Sequence, residues 1–185
     1  PEEVAAMKPT ITMKDNGHMR TITALAAIAG LTLAASSASA QDVIRYQKPG
    51  STFPIAQAVE VPAGLSTVYL SGTASPGINA DGKPVAKGSF GDTEAQTRGT
   101  LTNIRDTLGS MHLSMSDVVK MHIYMVADPK TGNLDFAGMM RAYKEFFGTK
   151  DQPNLPARSA FEVSHLAGPG LLVEIEVTAV RPATH

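Results

Sequence analysis

Three side chains in the C-terminal third of this 185-residue chain have the types and spacing to do chemistry: Arg158, Glu174 and Glu176. Residues 157–163 and 171–180 both read as strands, rich in β-branched and aromatic residues. Alternation in the first sends Ser159, Phe161 and Val163 to one face and Arg158, Ala160 and Glu162 to the other, the apolar set being expected to face the core. In the second, Val173, Ile175, Val177 and Ala179 share one face, and Leu172, Glu174, Glu176 and Thr178 the opposite one. If the Gly168-Pro169-Gly170 turn closes these strands into an antiparallel hairpin, Arg158 lies beside one of the glutamates on an uncovered face. That spacing leaves two readings open. One is a cross-strand ion pair or an interface salt bridge. The other is a guanidinium fork that holds a substrate carboxylate in bidentate fashion while a glutamate orients a water.

The elements that must position these residues follow from periodicity and punctuation. Val43–Tyr46, Ala58–Pro62 and Thr67–Ser71 read as strands, the third expected to stop at Gly72. Residues 74–91 carry Pro76, Gly77, Asp81-Gly82, Pro84, Gly88 and Gly91, which predicts a long surface loop with a small hairpin at Asp81-Gly82. Asp92 or Thr93 caps a helix whose stripe is Thr97, Leu101, Ile104 and Leu108, with Arg98 and Arg105 on its polar face. Val118–Val126 reads as a strand, and Phe136, Met139, Met140, Tyr143, Phe146 and Phe147 recur at helical spacing until Gly148. The order is βββ-α-β-α-ββ. Two helices cover one face of such a sheet, so the other must meet water or another chain.

Composition removes several alternatives. There is no cysteine, hence no disulfide framework, thiolate nucleophile, zinc-thiolate cluster or redox CxxC. With 16 Lys plus Arg against 17 Asp plus Glu, the net charge of -1 offers no basic surface for a phosphate backbone, and no nucleic-acid partner is expected. His112, His122 and His165 lack ligands at metal-binding spacing, so no metal is expected. Ser164-His165 is an adjacent pair rather than a catalytic dyad, and no GxSxG elbow exists. Gly168-x-Gly170 precedes a strand where nucleotide loops precede a helix.

The N-terminal segment reads as a leader. Lys14 and Arg20 precede an apolar stretch from Ile22 to Ala35, and Ser36-Ser37-Ala38-Ser39-Ala40 offers a small-x-small cleavage site. The apolar run is shorter than the roughly 18 to 20 residues needed to span a bilayer, so no membrane anchor is expected once the leader is removed. Residues 19–40 are thus expected to be a signal peptide starting at Met19, or at Met13 if translation begins there, with 1–18 upstream or unassigned leader sequence and 41–185 one domain. Export would place that domain in a bacterial periplasm or outside the cell, where a chain without Cys avoids unwanted oxidation.

A set of motifs, in order, resembles the YjgF/RidA family: Val68-Tyr69-Leu70-Ser71-Gly72; Glu94-Ala95-Gln96-Thr97-Arg98 with Leu101 and Asn103-Ile104; Asp117-Val118-Val119-Lys120; Tyr143-Lys144-Glu145-Phe146-Phe147; Pro156-Ala157-Arg158-Ser159; and Glu174-Ile175-Glu176. Together they run from about Pro54 to Arg181. The resemblance implies an α+β, chorismate-mutase-like βββαβαββ fold with both helices on one face of the sheet, assembled as a homotrimeric barrel with a cleft at each subunit boundary. It implies hydrolysis of reactive 2-imino and enamino acids, such as 2-aminoacrylate, to a 2-keto acid and ammonia, without cofactor or metal. By that likeness Arg158 matches the arginine that holds the substrate carboxylate, and Glu174 the glutamate that positions the attacking water. Ser71 and Gly72 match a segment that lines the cleft.

The same likeness exposes departures. Ile55 stands where active deaminases usually carry tyrosine, Met140 where they carry asparagine, and Ala160 where cysteine is common. Ile55 and Met140 make for a more apolar pocket. Some relatives are described as ribonucleases, a reading that the near-zero charge and the lack of an aromatic-basic stripe oppose. The expectation is an exported deaminase of small carboxylate-bearing imines. The alternative is a non-catalytic trimeric module that binds carboxylates or proteins in the same clefts.

Overall fold

The computed structural model describes residues 42–76 and 90–181, which belong to one unit, Ser39–His185. The leader and the Asp81-Gly82 hairpin read from the sequence lie outside the described residues. The order is β1 (Ile44–Tyr46), β2 (Ala58–Glu60), β3 (Ser66–Ala74), α1 (Thr93–Ser110), a 3-10 turn (Met115–Asp117), β4 (Val118–Met125), α2 (Phe136–Phe146), β5 (Ala157–Glu162) and β6 (Val173–Arg181). This is the βββαβαββ order expected of the α+β class.

Strands β1 and β2 form a separate antiparallel ribbon, and the main sheet runs β3-β6-β4-β5. β6 is antiparallel to both β3 and β4, whereas β5 is parallel to β4 and lies at the edge. The expected β5-β6 hairpin is therefore wrong: β4 lies between the two strands. The chain from Glu162 to Val173 is too long for a tight hairpin, and its length lets β6 enter on the far side of β4. β3 also runs on through Gly72 to Ala74, because a register shift between Leu70 and Thr73 absorbs the glycine as a bulge instead of ending the strand.

The core lies between one sheet face and the two helices. Met121, Ile123 and Met125 from β4 and Val173, Ile175 and Ala179 from β6 are fully or almost fully buried there with Leu101, Ile104, Leu108, Met139 and Tyr143. The stripe read for α1 is buried throughout. Asp92 and Asp135 cap α1 and α2 by accepting from the Ala95 and Gly138 amides, each at 2.8 Å. Gly148, with φ +73°, follows the second helix as expected.

Several motif residues prove to be struts. Gln96 is buried; its amide nitrogen donates to the Gly91 and Gly170 carbonyls at 3.1 and 3.0 Å, and its oxygen accepts from the Leu172 amide at 2.8 Å. The start of α1 is thereby tied to the turn that launches β6. Arg98 bridges Glu94 at 2.9 Å and Glu145 at 2.6 Å, and Arg141 reaches Glu94 at 2.5 Å, linking α1 to α2. Arg45 anchors the ribbon by donating to the carbonyls of Val118, Leu155 and Ser116 at 3.0, 2.9 and 2.8 Å.

Among the described residues, no helix lies on the opposite sheet face. Tyr69 is 80% exposed there and Phe161 45% exposed. Between them sit His122, Tyr124, Glu174 and Glu176, all partly buried.

Candidate functional site

The parallel register pairs Arg158 with Met121 and Ala160 with Ile123, both core-facing residues of β4. Arg158 and Ala160 thus belong to the helix side of the sheet. Ser159 and Phe161, expected inside, pair with His122 and Tyr124 on the open face. The faces of β5 are the reverse of those its apolar alternation predicts, because an edge strand is only half packed and its single phenylalanine need not mark the core.

Arg158 lies where β5 passes the second helix. Its guanidinium carbon is 4.4 Å from the centroid of the Tyr143 ring and 5.5 Å from that of Phe53, and one terminal nitrogen reaches the Met140 sulfur at 3.1 Å. The Tyr143 hydroxyl donates to the Pro54 carbonyl at 2.9 Å. Ala56 pairs in parallel with Ala157, its amide donating to the Pro156 carbonyl at 3.0 Å. This lays the segment that carries Phe53 and Ile55 along the start of β5.

The guanidinium forms no ion pair with a carboxylate among the described residues, and its buried Nε finds no acceptor. Burial lowers the Arg158 pKa from the ordinary arginine range, the Tyr143 hydroxyl partly offsetting this. Burial likewise raises the Tyr143 pKa, so this phenol stays protonated as a donor. A half-buried guanidinium beside aromatic rings and a thioether keeps N–H donors that no carboxylate of the described residues takes up.

Ser71, Gly72 and Glu174 form a second group. The Glu174 carboxylate fills the space where a Cβ on Gly72 would sit, so the β3 bulge and Glu174 are mutually fitted. Glu174 pairs with Tyr124 across the β4-β6 ladder and accepts no hydrogen bond from another described residue. One step along, His122 Nδ1 lies 2.6 Å from Glu176 Oε1, and this contact is the main cause of a lowered Glu176 pKa. His122, Tyr124 and Phe161 form an aromatic cluster, the last two stacked with centroids 5.9 Å apart.

The structure therefore brings Arg158, Met140 and the segment of Phe53 and Ile55 together, with Ala160 two residues farther along the same face of β5, and separately Gly72 and Glu174, with Ser71 next to Gly72 in the bulge. It does not bring Arg158 beside Glu174: they lie on opposite faces of the sheet and on strands separated by β4. Sequence reasoning missed Phe53, whose only signal was its closeness to Ile55. It read Tyr143 as core and motif without its ring contact to Arg158. The His122-Glu176 pair becomes legible only once β4 and β6 are known to be neighbours. Among the described residues no group of three or more His, Asp or Glu side chains is placed to hold a metal ion, and no helix is long and apolar enough to cross a membrane.

The fold is an α+β sheet with both helices on one face, and among the described residues Arg158 has no carboxylate partner. Comparison with known proteins gives the family. Residues 45–181 match the family described as Endoribonuclease L-PSP, and the chain belongs to that family, also called YjgF/RidA. It is similar to a RutC family protein of Haemophilus influenzae, 33% identical over 140 residues that cover 75% of this chain and 96% of the relative. It is also similar to the 2-iminobutanoate/2-iminopropanoate deaminase of Salmonella typhimurium, 36% identical over 90 residues, 49% of this chain and 65% of that protein. Among solved structures, a protein of the Rid family from Yersinia pestis, YyfB, of unknown function, superposes with a TM-score of 0.54 at 29% identity, covering 73% of this chain and 96% of that one.

Proposed function

We propose that the protein hydrolyses reactive 2-imino and enamino acids to 2-keto acids and ammonia. The observation that carries this reading is the Arg158 guanidinium, which faces aromatic and thioether groups and lacks a carboxylate partner among the described residues. The likeness to an iminobutanoate deaminase supports it. Arg158 takes the substrate carboxylate in place of the missing counter-ion. Glu174 accepts a hydrogen bond from a water and aims its oxygen at the imine carbon. Addition of that water gives a carbinolamine carrying the hydroxyl and the amine on one carbon. The hydroxyl proton passes through water to the amine nitrogen, the C–N bond breaks as the C=O bond forms, and ammonia leaves with the keto acid behind. Such imines already hydrolyse in water, so orientation and general acid-base help on the order of 10² to 10⁴ suffice, with no strong nucleophile.

Because Arg158 and Glu174 lie on opposite faces, a site using both takes one from each of two copies of the chain. The open sheet face, with Tyr69 and Phe161 exposed, is the surface for that assembly into a trimer. Export through the 19–40 leader belongs to the same proposal, and the N-terminal sequence of the mature protein tests it: Gln41 is the expected first residue.

The decisive assay generates 2-imino acids in situ with an amino-acid oxidase and follows ammonia release. Acceleration that is lost in Arg158→Ala supports the reading. Hydrolysis no faster than in buffer overturns it in favour of a non-catalytic carboxylate-binding module.

A further inference from the structure

The surroundings of Arg158 carry information about what it holds. The guanidinium faces the Tyr143 ring and hydroxyl, the Phe53 ring and the Met140 sulfur, and no charged group among the described residues. The Tyr143 hydroxyl gives its proton to the Pro54 carbonyl and turns its oxygen to Arg158, so both its hydrogen-bonding roles are already taken up within the protein. Phe53 is 43% exposed, so it offers ring surface to a ligand as well as to the cation. It stands two residues before Ile55, whose amide donates back to the Phe53 carbonyl at 2.8 Å, and the pair is held against β5 by the Ala56-Ala157 bridge.

A 2-imino or 2-keto acid bears its side chain one carbon away from its carboxylate. With the carboxylate on Arg158, that side chain falls among the groups packed around the guanidinium. A polar or charged side chain would lose water there without finding a partner. An apolar one would cover Phe53 and gain by leaving water.

We propose that the Arg158 site selects acids whose side chains are apolar and have three or more carbons, over the methyl side chain of 2-iminopropanoate and over side chains bearing a second carboxylate, with Phe53 setting the selection. This names the substrate class of the deaminase reading above and rests on that reading for turnover; the selection itself is a property of binding.

Stable 2-keto acids test it by calorimetry on the full chain: 4-methyl-2-oxopentanoate, pyruvate and 2-oxoglutarate. The expected order has 4-methyl-2-oxopentanoate at least about 10-fold tighter than pyruvate, and 2-oxoglutarate no tighter than pyruvate. In Phe53→Ala the preference for the branched acid falls to about 3-fold or less, whereas loss of the ring's attraction for the cation weakens all three acids alike. The ratio of affinities is therefore the readout. Equal affinities in the unaltered protein, an unchanged ratio in Phe53→Ala, or no binding of any of the three overturns the inference. Ammonia release is scored separately: selective binding without it leaves the selection standing and removes the deaminase.

Discussion

At the scale of single residues the site depends on two fits, one electrostatic and one steric. Replacing Arg158 by Ala removes the anchoring charge, and kcat/KM for 2-imino acids should fall by about 10² to 10³-fold. Arg158→Lys should not restore it, since an ammonium cannot reproduce the planar fork that lies over the Tyr143 ring. The steric fit is at Gly72. A Cβ there meets the end of the flexible Glu174 side chain, so Gly72→Ala should fold normally and displace the carboxylate. Turnover by that variant is expected to drop by about 10²-fold with substrate binding at Arg158 retained. Steady-state kinetics beside keto-acid calorimetry checks both halves, and an unchanged kcat in Gly72→Ala would remove Glu174 from the mechanism. Strand alternation singles out Arg158 with either Glu174 or Glu176, and only the family resemblance selects Glu174. Their relation to each other is not legible in the sequence, because side-chain alternation says which residues share a face of one strand and nothing about which strand lies beside it.

At the scale of elements, the segments that the sequence revealed best are those with long periodic patterns. The α1 stripe and the β6 alternation are both found as read, since each repeats often enough to fix a face. The six-residue β5 does not, and its faces were inverted. The end of β3 was misplaced because a glycine can break a strand or bulge it, and only the partner strand decides which. The caps make a direct prediction: Asp92→Ala should lower unfolding stability by about 1 kcal/mol in urea titration, through loss of the bond to the Ala95 amide. Acid dependence belongs at this scale too. His122 lowers the Glu176 pKa, and Arg141 and Arg98 lower that of Glu94. A carboxyl whose folded pKa is depressed adds stability above its unfolded value and loses it as pH falls through the folded one. Melting temperature should therefore decline below the ordinary glutamate value of about 4.3, and Glu176→Gln should decline less steeply over that range.

At the scale of the whole molecule, the exposed sheet face and the proposed two-copy site are tested together. Co-expression of Arg158→Ala and Glu174→Ala chains, each inactive alone, should recover about a quarter of normal turnover, as expected when random mixing leaves one shared site in four with both groups intact. Light scattering on the same sample should give three times the protomer mass, and Tyr69→Asp, placing a charge on the most exposed aromatic of that face, should reduce mass and turnover together. A single-copy site would give no recovery at any mixing ratio. The Arg158 guanidinium, with no carboxylate partner among the described residues, has a further consequence, for endurance. Keeping a charge partly out of water beside neutral groups costs stability, so Arg158→Met, which keeps the bulk and discards the charge, should melt at a higher temperature than the natural chain while performing no hydrolysis. A filled site should close much of that gap, which makes the difference in melting temperature with and without keto acid a direct gauge of what readiness costs the fold.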